Sequence, residues 1–167
     1  MHEVDVNVRV GIVTVSSSRY EKFGEADLTK LDEIDDESGK ILVKEFEGNV
    51  VSYKLVPDDA KKILKAVLET NADVVIITGG TGLNPKDVTV EALEGVFDKR
   101  IDGFGEVFRL ESMREIGYNA ILSRATAGIV NGKVVFALPG SSKAVKLGAR
   151  IIKDVLKHVV THAKGLK

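Results

Sequence analysis

The 167-residue chain has no cysteine. Disulfides, thiolate metal sites and thiol nucleophiles are therefore excluded together. No apolar stretch approaches the roughly 20 residues that a membrane helix requires, so no membrane partner is expected. The opening MHEVDVNVRV lacks the apolar core of a cleavable signal, and a cytoplasmic location is expected. A formal net charge of −1 gives no support to nucleic-acid binding. There is no internal repeat, linker or low-complexity tract, and the length suits one domain spanning 1–167.

What is present alternates in period. VGIVTV (10–15) and VVSYKLV (50–56) read as strands, the first ending in Ser16, Ser17 and Ser18, the second stopped by Pro57. Between them the polar segment from Arg19 to Lys40 reads as a mobile surface loop, long enough for a lid, with a short helix expected from Ile41 to Phe46. Asp58 or Asp59 caps a helix whose face is Ile63, Leu64, Val67 and Leu68. Helical spacing returns at 88–97, and again from near Gly103 with Val107, Phe108, Leu110 and Met113. Asn131-Gly132, between two β-rich runs, signals a hairpin. Gly140-Ser141-Ser142 opens a long amphipathic helix. Strands alternating with helices predict a three-layer α/β/α fold with a mainly parallel sheet plus one antiparallel hairpin strand.

The most informative segment is VVIITGGTGLNPKDVT (74–89). A buried strand ends at Thr78, and Gly79, Gly80, Thr81 and Gly82 follow. Such a turn at a strand's carboxyl end can bring amide groups close to an anion. A Walker A loop is excluded because Lys86 is followed by Asp87. The dinucleotide fingerprint is excluded because Pro85 stands where its third glycine belongs. Asp87 is no phosphate ligand, and suggests a metal ion between carboxylate and phosphate. A plain glycine turn explains the loop equally well.

Seven ordered motifs extend this pattern: GIVTVSSSR, DESGK, VPDD, ITGGTGLNPKDVT, IDGFGEVFR, LSRATAG and LPGSSKAV. Through them nearly the whole chain resembles the MoaB/Mog family, the molybdopterin adenylyltransferases of molybdenum-cofactor biosynthesis, and its MoaB branch in particular. The resemblance implies transfer of AMP from Mg-ATP to the terminal phosphate of molybdopterin, with release of pyrophosphate. It puts the paired catalytic and Mg²⁺-holding aspartates at Asp58 and Asp87. It puts phosphate handling at Gly79–Gly82 and Gly140–Ser142, with Ser16, Glu106 and Ser123 at further pocket positions. It also implies a homo-oligomer built from trimers, a hexamer in the MoaB branch, and a MoeA-like molybdate-inserting enzyme downstream. Two departures stand out. Ser17 occupies the place of the Ser-Asp-Arg aspartate, with Arg19 one place late, and Ala137 replaces the asparagine before Leu-Pro-Gly.

Each candidate carries a plainer reading as well. Asp58 can be a helix cap, and Ser141 and Ser142 can cap a helix while its N–H groups hold phosphate. The glycines of GFG (103–105) can start a helix, or let the pterin approach with Glu106 bonding its ring. His158 and His162 lack a third metal ligand and suit the negative helix end. A non-catalytic molybdopterin-binding carrier or scaffold is the alternative function. A MoeA-type enzyme shares the domain but needs further domains.

Overall fold

The computed structural model describes residues 7–166; part of the opening segment, residues 1–6, lies outside that range. One six-stranded sheet runs in the order β2-β1-β3-β6-β5-β4. Its strands are β1 (Val10–Val15), β2 (Val50–Val56), β3 (Val74–Thr78), β4 (Lys99–Arg100), β5 (Thr126–Val130) and β6 (Lys133–Leu138). β1, β2, β3 and β6 are parallel, while β5 runs antiparallel to both β6 and β4. The helices are α1 (Ser17–Phe23), α2 (Glu37–Glu45), α3 (Ala60–Glu69), α4 (Thr89–Glu94), α5 (Asp102–Ile116) and α6 (Ser142–Ala163). None of the described helices is long and apolar enough to cross a membrane.

Strand periodicity divides the core into two layers. Ile12, Ile76 and Phe136 face a cluster completed by Leu42, Phe108 and Ile152 of α2, α5 and α6. Val13, Ile77 and Val135 face the opposite cluster, with Ile63 and Val67 of α3 and Leu93 of α4. β1 and β3 are buried on both faces, which is why they read as unbroken apolar runs. The hairpin turn has Asn131 and Gly132 at φ 50° and 79°, as a two-residue turn of this hand demands.

Three expectations need correction. The segment from Arg19 to Lys40 is not a loose loop. It holds α1, a 3₁₀ turn at Leu28–Glu33 capped by Asp27, and the start of α2 capped by Asp36, and it buries Ala26, Leu31 and Ile34. α2 accordingly begins before Ile41. On α3 the buried face is Ile63, Ala66 and Val67, with Leu68 exposed. On α5 only Phe108 of the anticipated apolar residues enters the core; Val107, Leu110 and Met113 are exposed.

Candidate functional site

The register aligns the carboxyl ends of four strands. Val15 pairs with Val56, Thr14 with Thr78, and Thr78 with Leu138. The segments after β1, β2, β3 and β6 therefore leave the same edge, where open α/β sheets bind ligands. Asp58 and Asp87 follow β2 and β3. These strands are not neighbours, because β1 runs between them.

The loop after β3 is shaped by its glycines. Gly79 and Gly80 have φ of 99° and 71°, where side chains are disfavoured. All four loop carbonyls are held by protein donors. Thr89 Oγ1 donates to Gly79 O (2.9 Å) and Thr89 N–H to Gly80 O (3.0 Å). Arg124 donates from Nε to Thr81 O (3.2 Å) and from Nη2 to Gly82 O (2.6 Å). In a trans peptide the N–H points opposite the carbonyl. The amides of Gly80, Thr81, Gly82 and Leu83 donate to no protein acceptor among the described residues. Four successive free amides are the donor pattern of an anion-binding nest.

The second loop lies against the first. A Cβ on Gly140 would sit 3.6 Å from Gly79 Cα. Thr78 Oγ1 donates to Pro139 O (3.2 Å) and Ser38 Oγ to Gly140 O (2.7 Å). Ser141 caps α6, accepting from Ala144 N–H (3.2 Å), and the first turn of that helix adds further free amides and the positive dipole end. Ser38 stands on α2, whose cap Asp36 is buried and accepts the Tyr53 hydroxyl. Burial and that carboxylate push the Tyr53 hydroxyl above its ordinary range, so it stays a donor.

Between the loops and the C-terminal part of α5 lies a cavity of about 450 Å³. Gly79, Gly80, Thr81, Gly82, Asp87, Ser123, Gly140 and Ser141 line it, with Phe108, Ser112 and Lys143. A Cβ on Gly82 would lie 2.7 Å from Asp87 Oδ2, so the carboxylate packs on the nest. The same oxygen accepts from Asn84 N–H (3.2 Å). Four other candidates fall outside the lining. Ser16 caps α1. Asp58 exchanges hydrogen bonds with Ser17, accepting from Oγ at 2.7 Å and donating its N–H to that oxygen at 2.9 Å. Ser17, the departure from Ser-Asp-Arg, thus serves as a partner for Asp58. Glu106 lies on the exposed side of α5. Ser142 is the first residue of α6, beside the cavity residues Ser141 and Lys143. Of the GFG glycines, Gly105 has a packing role, since a Cβ there would sit 2.6 Å from Ala125 O, whereas Gly103 faces open space.

Two cations join the site. Arg124 lies in the motif LSRATAG, but nothing local in the sequence shows that it reaches Thr81. Lys143 carried a signal, since a cation in the first helical turn opposes the helix dipole unless an anion sits there. Glu91 chelates Arg124, raising the guanidinium pKa, while the arginine draws the Glu91 carboxyl down.

A mainly parallel sheet with two touching amide-rich loops, a carboxylate and cations at its carboxyl edge defines an α/β protein with an open cavity at that edge. Residues 11–158 match the family described as "Probable molybdopterin binding domain", and the chain belongs to that family. It is 42% identical to the probable molybdopterin adenylyltransferase of Methanocaldococcus jannaschii, over 98% of this chain and 99% of that protein. It is also 42% identical to the molybdopterin adenylyltransferase of Pyrococcus furiosus, over 97% and 95%. The crystal structure of the tungsten cofactor synthesizing protein MoaB from Pyrococcus furiosus superposes with a TM-score of 0.83, covering 94% of this chain and 97% of that one at 42% identity.

Proposed function

We propose that the protein is a molybdopterin adenylyltransferase, joining AMP from ATP to the terminal phosphate of molybdopterin and releasing pyrophosphate. The observation that carries this is the contact between two amide-rich loops at one end of a cavity, which suits two phosphate groups brought together for reaction. A terminal phosphate oxygen of molybdopterin forms a new bond to the α-phosphorus of ATP, and the bond from that phosphorus to the bridging oxygen of pyrophosphate breaks. Both reactants are anions, so catalysis rests on positioning and charge neutralisation. The Gly80–Leu83 amides and Lys143 supply both.

The donor set fits Mg²⁺. Asp87 offers hard oxygen beside the nest, and Mg²⁺ commonly takes one or two carboxylates plus substrate phosphates. When bound, Mg²⁺ supplies positive charge on the phosphate oxygens. Asp58, tied to Ser17 outside the lining, takes a supporting part.

The reaction is assigned to a homo-oligomer built from trimers, a hexamer in solution, with a molybdate-inserting enzyme receiving the product. Support for assembly comes from Val107, Leu110 and Met113, apolar and exposed on α5, with the nearby Tyr118 and Ile121, 81% and 71% exposed. Incubation with molybdopterin and Mg-ATP is expected to release pyrophosphate. Tight binding of molybdopterin without release would establish a carrier instead.

A further inference from the structure

Arg124 stands apart from the residues discussed for phosphate contact because it spends its guanidinium on the protein. Nε and Nη2 each take a loop carbonyl, and Nη1 and Nη2 grip the Glu91 carboxylate. Its partners come from two places in the chain, the loop after β3 and α4, while Arg124 itself lies in the segment before β5. Neutral donors hold the other two carbonyls, both from buried Thr89. The first half of the loop is thus anchored within its own neighbourhood. Its second half depends on a residue more than forty positions away.

We infer that Arg124 is a positioning residue for the adenylyl-transfer site, holding the Thr81 and Gly82 carbonyls so that the Gly82 and Leu83 amides face the phosphate. This rests on the function proposed above. The planar fork matters, because two carbonyls and a carboxylate are held at once by separate N–H groups. Lysine keeps the charge but is a point donor on a flexible stem, and cannot reproduce that arrangement. Glu91 orients the fork from the far side. Without the clamp, the Thr81–Gly82 and Gly82–Leu83 peptides are free to turn, and the nest loses half its amides.

The test compares wild type with Arg124→Ala, Arg124→Lys and Glu91→Gln. Readouts are pyrophosphate affinity by calorimetry, the KM for ATP, kcat, and the melting temperature. Arg124→Ala is expected to lower kcat/KM by on the order of 10²-fold, as misplacement of a positioning group does, and to weaken pyrophosphate in step. Arg124→Lys is expected to recover less than half of that loss on a logarithmic scale, and Glu91→Gln to fall between lysine and wild type. Melting temperatures should stay close to wild type, since the clamp lies at a partly exposed loop. Full rescue by lysine would show that Arg124 supplies only charge, and would overturn the inference. Equal loss of pyrophosphate affinity and of melting temperature in every variant would reduce it to a fold element, which also overturns it. A wild type that binds no pyrophosphate and transfers no AMP would sink the functional reading and this inference together. A functional wild type with an unaffected Arg124→Ala sinks the inference alone.

Discussion

Asp73 is almost fully buried, yet it remains ionised because cations surround it. Burial alone would raise its pKa. Hydrogen bonds from Arg9 and Lys164 outweigh that and bring it to about 2. The folded pKa therefore lies below the unfolded value of about 3.9. The resulting stability is present above pH 4 and is lost as pH falls toward 2. Asp73→Asn is expected to cost about 2 kcal/mol at pH 7, and urea titration should show the gap to wild type shrinking toward pH 3. An equal gap at both pH values would place the effect elsewhere. At the cavity, Asp87→Asn is expected to lower single-turnover AMP transfer by roughly 10²–10³-fold, the loss typical of one preorganised electrostatic contact. Asp58→Asn should lose less, in keeping with its place outside the lining. Retention of most of the wild-type rate by Asp87→Asn would remove that residue from the chemistry.

At the scale of elements, α5 separates two glycines that look alike in the sequence. Gly105 allows the helix to approach β5, where a Cβ would meet the Ala125 carbonyl oxygen, a backbone atom that cannot step aside. Gly105→Ala is expected to destabilise by about 1–3 kcal/mol through overpacking. Gly103→Ala adds a methyl into open space, and should leave stability unchanged or raise it by up to about 1 kcal/mol through helix propensity. Thermal melts of the two variants distinguish these outcomes. A Gly103→Ala protein that folds well but loses molybdopterin would return the GFG segment to the ligand site. The sequence showed a helix here and missed its face: Val107, Leu110 and Met113 have the spacing of a buried stripe, and that spacing is the same whether the stripe meets this chain's own core or another surface.

The whole molecule leaves that stripe and the adjoining Tyr118 and Ile121 uncovered, next to cavity residues Ile116 and Leu122. A patch of this kind favours association. Multi-angle light scattering is expected to give a mass three or six times the 18.1 kDa chain. Leu110→Glu should shift that mass toward the single chain, because a charge buried at an interface without a partner is costly. A wild-type mass of one or two chains would contradict the assembly.

Residues that act on near neighbours were legible from the sequence. β1, β2 and β3 have the bounds their apolar runs indicated, Asp59 caps α3 by accepting from Lys62 N–H, and Asn131-Gly132 turns the hairpin. The glycine run after Thr78 likewise marked a turn with positive φ, found at Gly79 and Gly80. The polar stretch from Arg19 to Lys40 hides its order from the sequence because that order comes from single contacts, the caps Asp27 and Asp36, the bond of Tyr53 to Asp36 and the burial of Ala26, Leu31 and Ile34, and not from a period. Only tertiary structure decided that β1 separates the strands bearing Asp58 and Asp87, that Ser38 holds Gly140, and that Arg124 holds Thr81 and Gly82. Local pattern records which face of an element is apolar. Which distant donor reaches a carbonyl depends on sheet order and register, and those are set by the packing of all the elements together.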